Sequence, residues 1–438
     1  MNAVPDVVVV GAGAAGLAAA LAARRAGAAV LVLESAAGGT ALAPGAWDVA
    51  PVLHPDELFR PRHPLAERIR AVARARSAHP YAVLDDPVAR VAEAHEAVLP
   101  VLGGYRPLDL DGPGVLAVSE LGLPRRVATC QQEVLAADPA SDVPLGVVDP
   151  GGYPGWDAAF VAASITEAAG AAGSPLRATA VRAPVLDPAA DAVRHPHELA
   201  AMADGDRGRQ RLVDALRSAA GTADVGSLLL PPLLGVATDA GEAVRRALGR
   251  GVGEALGALA TPQALRLDRR LRAALERAGA DVRYAPVGRV RGDGPAVRVE
   301  LAEGSTVSAA AVVLATGKHL GGGLAVSGGD VREPLADLPL RRDGDLGPLP
   351  SSLDGPDPVE QFGTDWWAGG VGFSLGVGYD AELRALGRRG ERAVEGLFVA
   401  GALLDGFDPA RDGTGLGCCV TTGFVAGGGA AAHAGSLG

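Results

Sequence analysis

Apolar residues run without a break at positions 7–10 (VVVV), give way to GAGAAG, resume in good helix formers over 17–25, and run again at 28–33 after Gly27. An unbroken β-branched run reads as a strand covered on both faces, so this order predicts a β-α-β unit of a parallel sheet. The rhythm returns twice. AVVLATG is an apolar strand stopping at a Thr-Gly turn, and LFVA at 397–400 leads through a glycine-lined loop into a small-residue helix expected to start near Cys418. Before them, 258–284 predicts an amphipathic helix with Leu265, Leu271 and Leu275 on its apolar face, then a strand beginning near Asp281. Alternation about a turn at 292–294 predicts a hairpin. The stretch from about 54 to 257 carries helical patterns at 64–76, 86–98 and 207–217 and strand-like pieces at 115–118 and 127–129, without any repeat period.

The length of 438 residues exceeds a single core and points to two domains. A net charge of -11 disfavours nucleic acid as a partner. Three cysteines build neither a disulfide framework nor a metal cluster, so no metal is expected and a reducing cytoplasm fits. The N-terminus lacks a signal-peptide pattern, and the apolar run at 12–23 is cut by Arg24 and Arg25, so no membrane span is expected.

With 62 glycines, a lone GxGxxG is expected by chance about once, so its context must carry the argument. Here Gly11, Gly13 and Gly16 stand between strand and helix, and Glu34 ends the second strand, where a carboxylate can accept from ribose hydroxyls. The turn needs the first glycine, the approach to a diphosphate the second, helix packing the third, and the helix N-terminus holds the anion. This much admits FAD or a nicotinamide dinucleotide. The following loop, GGTALAPGAWDV, narrows it: Gly39 and Thr40 can pass close to a phosphate or flavin, with Ser35 before them. Ala14 and Ala15 in the first helical turn, then Ala315, Thr316 and Gly317, and lastly Gly401, Gly415, Leu416, Gly417 and Cys418, complete the expected cofactor contacts. Free N–H groups at 417–420 would face the flavin edge that gains charge on reduction. Cys418 and Cys419 read as small filler in a tight turn rather than a redox pair.

For chemistry, the loop GKHLGGG puts His319 and Lys318 two residues or fewer past the Thr-Gly turn, with Arg332 downstream. His79 and Tyr81 in HPYAVL, and Arg411, are further candidates; His319, Arg332 and His79 are taken as the catalytic set.

These motifs resemble the two-dinucleotide-binding-domain flavoproteins related to fumarate reductase. The pieces HPYAVL, LLLPPLLGV, SGGDVREPL and GALLDGFDPARDGTGLGCC resemble, within them, the B-type subunits of anaerobic glycerol-3-phosphate dehydrogenase. The resemblance implies an α/β fold: a Rossmann-like FAD-binding domain from 1–78, 258–322 and 392–438, with an inserted α+β substrate or cap domain from 79–257 and 323–391. It implies a flavin-bearing chain next to a catalytic A-type subunit and a membrane-associated iron-sulfur C-type subunit. Such a chain would relay electrons from a small-molecule substrate, glycerol 3-phosphate, to quinone, from the cytoplasm or at the inner-membrane face. The family is described with FMN, whereas the fingerprint asks for FAD, whose second phosphate and ribose Gly13 and Glu34 would serve. Ala402 stands where the fumarate-reductase branch has an acidic residue, so ribityl binding would pass to Asp405 or to backbone. A self-sufficient FAD oxidoreductase and a flavin-stabilised scaffold are the alternatives.

Overall fold

The computed structural model describes residues 4–186, 194–237, 240–258, 260–327, 330–345, 375–409 and 412–437. Strands β1 (Val7–Val10) and β2 (Val30–Glu34) flank helix α1 (Ala14–Arg25). The helix starts three residues earlier than its composition suggested, because Gly13 is extended and its carbonyl accepts the Leu17 N–H. Gly27, at φ 91°, ends it in a conformation open chiefly to glycine.

A short 3-10 turn (Gly39–Leu42) leads to β3 (Ala46–Trp47), and helices α2 (Leu65–Ala75), α3 (Pro80–Val83) and α4 (Pro87–Leu102) follow. The hairpin β4 (Val115–Val118) and β5 (Pro124–Val127) precedes β6 (Thr129–Cys130), which pairs with β3. Next come β7 (Leu145–Asp149), α5 (Ala158–Ala171), β8 (Ala178–Arg182), β9 (Ser227–Leu230) and β10 (Gly251–Glu254). An arginine-rich helix (Pro262–Arg277) then leads to β11 (Asp281–Tyr284). The antiparallel strands β12 (Val287–Asp293), β13 (Ala296–Leu301) and β14 (Thr306–Ala309) and the core strand β15 (Ala311–Leu314) follow. Ribbons β16 (Ala325–Ser327) with β17 (Asp330–Arg332) and β18 (Leu340–Arg342) with β19 (Leu375–Val377) lie before β20 (Leu397–Val399) and the closing helix (Gly415–Leu437).

The central sheet is parallel, in the order β11-β2-β1-β15-β20, with Val8 between Leu31 and Val312. Strands β1, β2, β15 and β20 are buried, as their unbroken apolar runs require, whereas the edge strand β11 is largely exposed. The closing helix lies on α1 through small residues: a Cβ on Gly423 would overlap the Ala15 carbonyl, and one on Gly427 the Ala19 carbonyl. This helix is long and apolar enough by composition to cross a bilayer, yet 56% of its most apolar window is buried against the sheet and α1. It is a core helix.

The stretch expected as an inserted α+β part carries a sheet of its own, parallel and in the order β10-β9-β7-β8. Its apolar cores include Leu216, Leu228, Val147 and Ile165. Helix α4, which the expected boundary at 79 assigned to the insert, packs instead in the first core through Val91, Val98 and Leu102, as do Leu340 and Leu375. Among the described residues, the arginine-rich helix links the two sheets. Buried Arg266 pairs with Glu254 at the end of β10 and donates from Nε to Gln131 Oε1 at 3.0 Å, while Arg270 Nη2 meets Glu133 at 3.0 Å. Removing one member of a buried pair leaves the other charge stranded, at about 3–5 kcal/mol. Arg266→Met is therefore expected to lower unfolding stability in urea by about that amount, and Arg266→Met with Glu254→Leu to recover most of it.

Candidate functional site

The turn between β1 and α1 is built by steric necessity. A Cβ at Gly11, where φ is 111°, would overlap the Ala315 carbonyl at the end of β15, and one at Gly16 would overlap the Gly11 carbonyl. Nothing larger lets α1 descend onto β1 beside β15. Gly13 caps α1 without a side-chain bond, the first turn has no acidic residue, and Ala14 N–H donates to Thr40 Oγ1 at 3.2 Å. The helix N-terminus, with its partial positive charge, thus carries no carboxylate of its own. Thr316 Oγ1, at the Thr-Gly turn, is buried and has no hydrogen-bond partner among the described residues.

The last third of the chain closes the same cradle. A Cβ at Gly401 would lie 2.7 Å from Ala15 Cβ, and Cys419 Sγ lies 3.8 Å from that point. Gly11–Gly16, Ala315–Gly317, Gly401 and the first turns of the closing helix are therefore gathered at the carboxyl edge of β1, β15 and β20. Thr40 stands opposite Gly13, and Ser35 and Gly39 are exposed beside it. Glu34 is half-buried and forms an ion pair with Arg272 at 2.8 Å, so the expected ribose acceptor shares its charge with a cation from 238 positions away.

Three expected cofactor contacts are placed otherwise. The closing helix begins at Gly415, so Cys418 is one turn inside it; its N–H donates to Thr414 O and its side chain is fully buried. Gly417 N–H donates to the Asp48 carbonyl and is not free to face a ligand. Asp405 accepts from the Asp343 and Gly344 N–H groups at 2.9 and 2.7 Å, so its two oxygens hold that turn rather than a ribityl chain. Gly415, Leu416 and the partly exposed Cys419 are what the helix presents. Burial pushes the Cys418 thiol well up and the Cys419 thiol to about 12, which suits the filler reading.

The expected catalytic set is scattered over three settings. His79 is completely buried: its Nδ1 accepts the Tyr81 N–H at 3.1 Å, and its Nε2 lies 3.4 Å from Thr414 Oγ1 and 3.8 Å from Asp412. Burial, with Arg76 close by, holds its pKa down at about 3, so the ring is neutral and ties α3 to the turn before the closing helix. Arg332 is exposed on β17, and His319 is half-buried in the turn after β15. Lys318 beside it is buried, with Nζ donating to Phe407 O at 3.0 Å; burial lowers its pKa to about 8 against the pull of Asp408 and Asp405. Tyr81 is buried, and Arg411 lies outside the described residues.

One cluster had no assignment in the sequence. Trp47 is core, packed on His95 and Tyr105 with ring centroids 5.7 and 5.1 Å away, and it fixes Asp48 next to it. Asp48 is buried against the first turn of the closing helix and pairs with half-exposed Arg125 of β5. Burial raises its pKa, while Arg125 and, more weakly, Arg68 oppose the rise. Arg68 is itself buried, donating from Nη2 to Pro113 O at 2.6 Å, with Nε and Nη1 unpartnered among the described residues. The doubled arginine in β5 is the one sequence signal that could have drawn attention here.

The donor set fits a dinucleotide: an uncapped helix N-terminus at Ala14, a cradle that any Cβ at Gly11 would fill, and an orphaned Thr316 hydroxyl beside it. Residues 6–139 match the family described as FAD binding domain. The chain is 27% identical over 454 residues to the B-type subunit of anaerobic glycerol-3-phosphate dehydrogenase from Yersinia pestis bv. Antiqua (strain Antiqua), covering 96% of this chain and 97% of the relative. The protein of the same name from Yersinia pseudotuberculosis serotype I (strain IP32953) is 32% identical over 264 residues, 55% of each chain. Among solved structures, the open conformation of a flavocytochrome c3 fumarate reductase is similar at 14% identity and a TM-score of 0.43, covering 99% of this chain and 79% of that one. The chain is an α/β flavoprotein with FAD as its cofactor.

Proposed function

We propose that this chain is the flavin subunit of an FAD-dependent oxidoreductase acting in the oxidation of glycerol 3-phosphate to dihydroxyacetone phosphate. The coarse statement, flavin oxidoreductase, rests on the FAD-binding domain and on similarity along almost the whole chain to proteins named as dehydrogenase subunits. The single observation that carries it is the convergence of Gly11–Gly16, Thr316, Gly401 and the closing helix on one cradle.

Bound FAD supplies a two-electron acceptor. The protein's part is positioning: the N-terminus of α1 receives the diphosphate, Glu34 the ribose, and the first turn of the closing helix favours negative charge opposite it by about 0.3–2 kcal/mol. His79 acts in this scheme as a positioning residue, holding the turn at 412–414 from which that helix starts. The chain works beside a catalytic A-type subunit and passes electrons to an iron-sulfur C-type subunit and so to quinone, itself peripheral to the membrane. The domain division is a sheet-β1 unit from the two ends and 258–322, with the β7–β10 unit inserted.

Purified protein is expected to be yellow and to release FAD on denaturation, identified by mass. Steady quinone reduction with glycerol 3-phosphate is expected only once partner subunits are added. A colourless protein that takes up no FAD overturns the reading, and partner-independent steady quinone reduction overturns the assignment to a multi-subunit enzyme.

A further inference from the structure

A buried carboxylate against the cofactor-facing helix has no task in the scheme above. Asp48 belongs to the segment that covers the first turn of the closing helix: its carbonyl accepts Gly417 N–H at 3.0 Å, and its Oδ2 lies 3.9 Å from where a Cβ of Gly415 would stand. Across from it, β5 brings Arg125, half in solvent, onto the same Oδ2. Behind them Arg68 on α2 is close enough for its charge to act on Asp48, and two of its nitrogens are buried without a partner among the described residues. Its charge is balanced by Glu57 and, more weakly, by Asp48, so it adds a second cation behind the carboxylate.

We propose that Asp48 and Arg125 form a substrate dyad, in which Arg125 anchors the anionic group of a small alcohol and Asp48 takes the proton of its hydroxyl. The ligand class is a hydroxy compound carrying phosphate or carboxylate. The proposal rests on the FAD reading and goes beyond the relay role. Oxidation breaks the O–H and C–H bonds of the carbinol and forms a carbonyl; the C–H electron pair leaves as hydride with FAD as oxidant, and the hydroxyl proton goes to Asp48. The pair is self-switching. While Arg125 lies on Asp48, the carboxylate is held ionised; when Arg125 turns to the substrate anion, burial remains and the carboxylate becomes the stronger base. The groups facing Asp48 are Arg125 from β5, Arg68 from α2 with Glu57 behind it, and the N-terminus of the closing helix.

The test uses the FAD-loaded full chain without partners. Glycerol 3-phosphate, glycerate and glycerol are titrated while the flavin spectrum is followed, and anaerobic single-turnover reduction is then timed. The anionic alcohols are expected to perturb the spectrum and glycerol not. Arg125→Gln should weaken that binding about 10- to 100-fold, and Arg125→Lys should restore part of it. Asp48→Asn should bind the anion as well as the parent chain but reduce at least about 100-fold more slowly, with the parent's rise in rate with pH abolished. A melting curve and FAD content near those of the parent chain qualify each variant as folded. Reduction of Asp48→Asn within about tenfold of the parent, unchanged anion affinity in Arg125→Gln, or no response to any probe by an FAD-loaded protein overturns the dyad and leaves the FAD reading intact. A chain that takes up no FAD overturns both.

Discussion

Gly423→Val and Gly427→Val are each expected to strip the protein of FAD and to lower its melting temperature, although neither residue faces the cradle. The Cβ of any residue at these positions overlaps the carbonyl of Ala15 or Ala19, and a helix backbone cannot yield as a flexible side chain does. The closing helix must then lift from α1. Overpacking costs typically about 1–3 kcal/mol per site, and with backbone on both sides the upper part of that range applies. Function suffers more than stability, because Ala15 lies in the first turn of α1 and Gly401 fits against it: separating the helices opens the cradle at its narrowest point. Gly428 is the control. It lies on the same helix with no atom within 4 Å of its Cβ position, so Gly428→Ala should bind FAD normally and gain about 0.5–1 kcal/mol from helix propensity. Flavin-to-protein absorbance and thermal melts measure both. Full FAD content in Gly423→Val would show that the two helices do not act as one unit.

Acid should unfold the protein from an unusually high pH. His79 and His95 are both buried and neutral, with pKa values held at about 3 and about 4, in each case chiefly by burial. His95 donates from Nδ1 to the Val91 carbonyl at 2.7 Å, and its Nε2 has no partner among the described residues, so the cation would have nothing to meet it. The sign follows from which state binds more protons. Below the ordinary histidine value of about 6.5 the unfolded chain protonates both rings while the folded chain protonates neither, so stability present at neutral pH is lost as pH falls. Well below that value two such groups give a slope of about 2.7 kcal/mol per pH unit, or about 3 kcal/mol between pH 6.5 and 5. The raised carboxyl groups of Asp48, Asp405 and Glu333 act in the opposite sense, gaining stability as pH falls through their raised values. Urea midpoints measured from pH 7.5 to 5 should fall steeply. His79→Asn with His95→Gln should flatten that slope, and an unchanged slope in the double variant would remove both rings from the account.

How far the site could be read in advance follows from how local each signal is. The turn from Gly11 to Gly16 shows in sequence because strand, glycines and helix are neighbours, and a Cβ at Gly16 would meet the Gly11 carbonyl of that same turn. Glu34, Asp405 and Asp48 are different. Their partners Arg272, Asp343 and Arg125 stand 238, 62 and 77 positions away, and no periodicity connects them. His79, a catalytic candidate by its place in HPYAVL, is buried between α3 and Thr414 and is a neutral strut instead.

By itself, the order of residues determined the β1-α1-β2 unit, the strands β15 and β20, the amphipathic helix before β11 and the glycine turns, since each depends on propensity and steric fit within a few residues. Tertiary structure alone decided that residues 145–254 form a second parallel sheet, because strands as short as SLLL acquire their pairing only from partners far along the chain. It also decided where the closing helix starts and that Asp48 lies against its first turn. Those outcomes depend on which surfaces exclude water together, and that is a property of the packed whole rather than of any one segment.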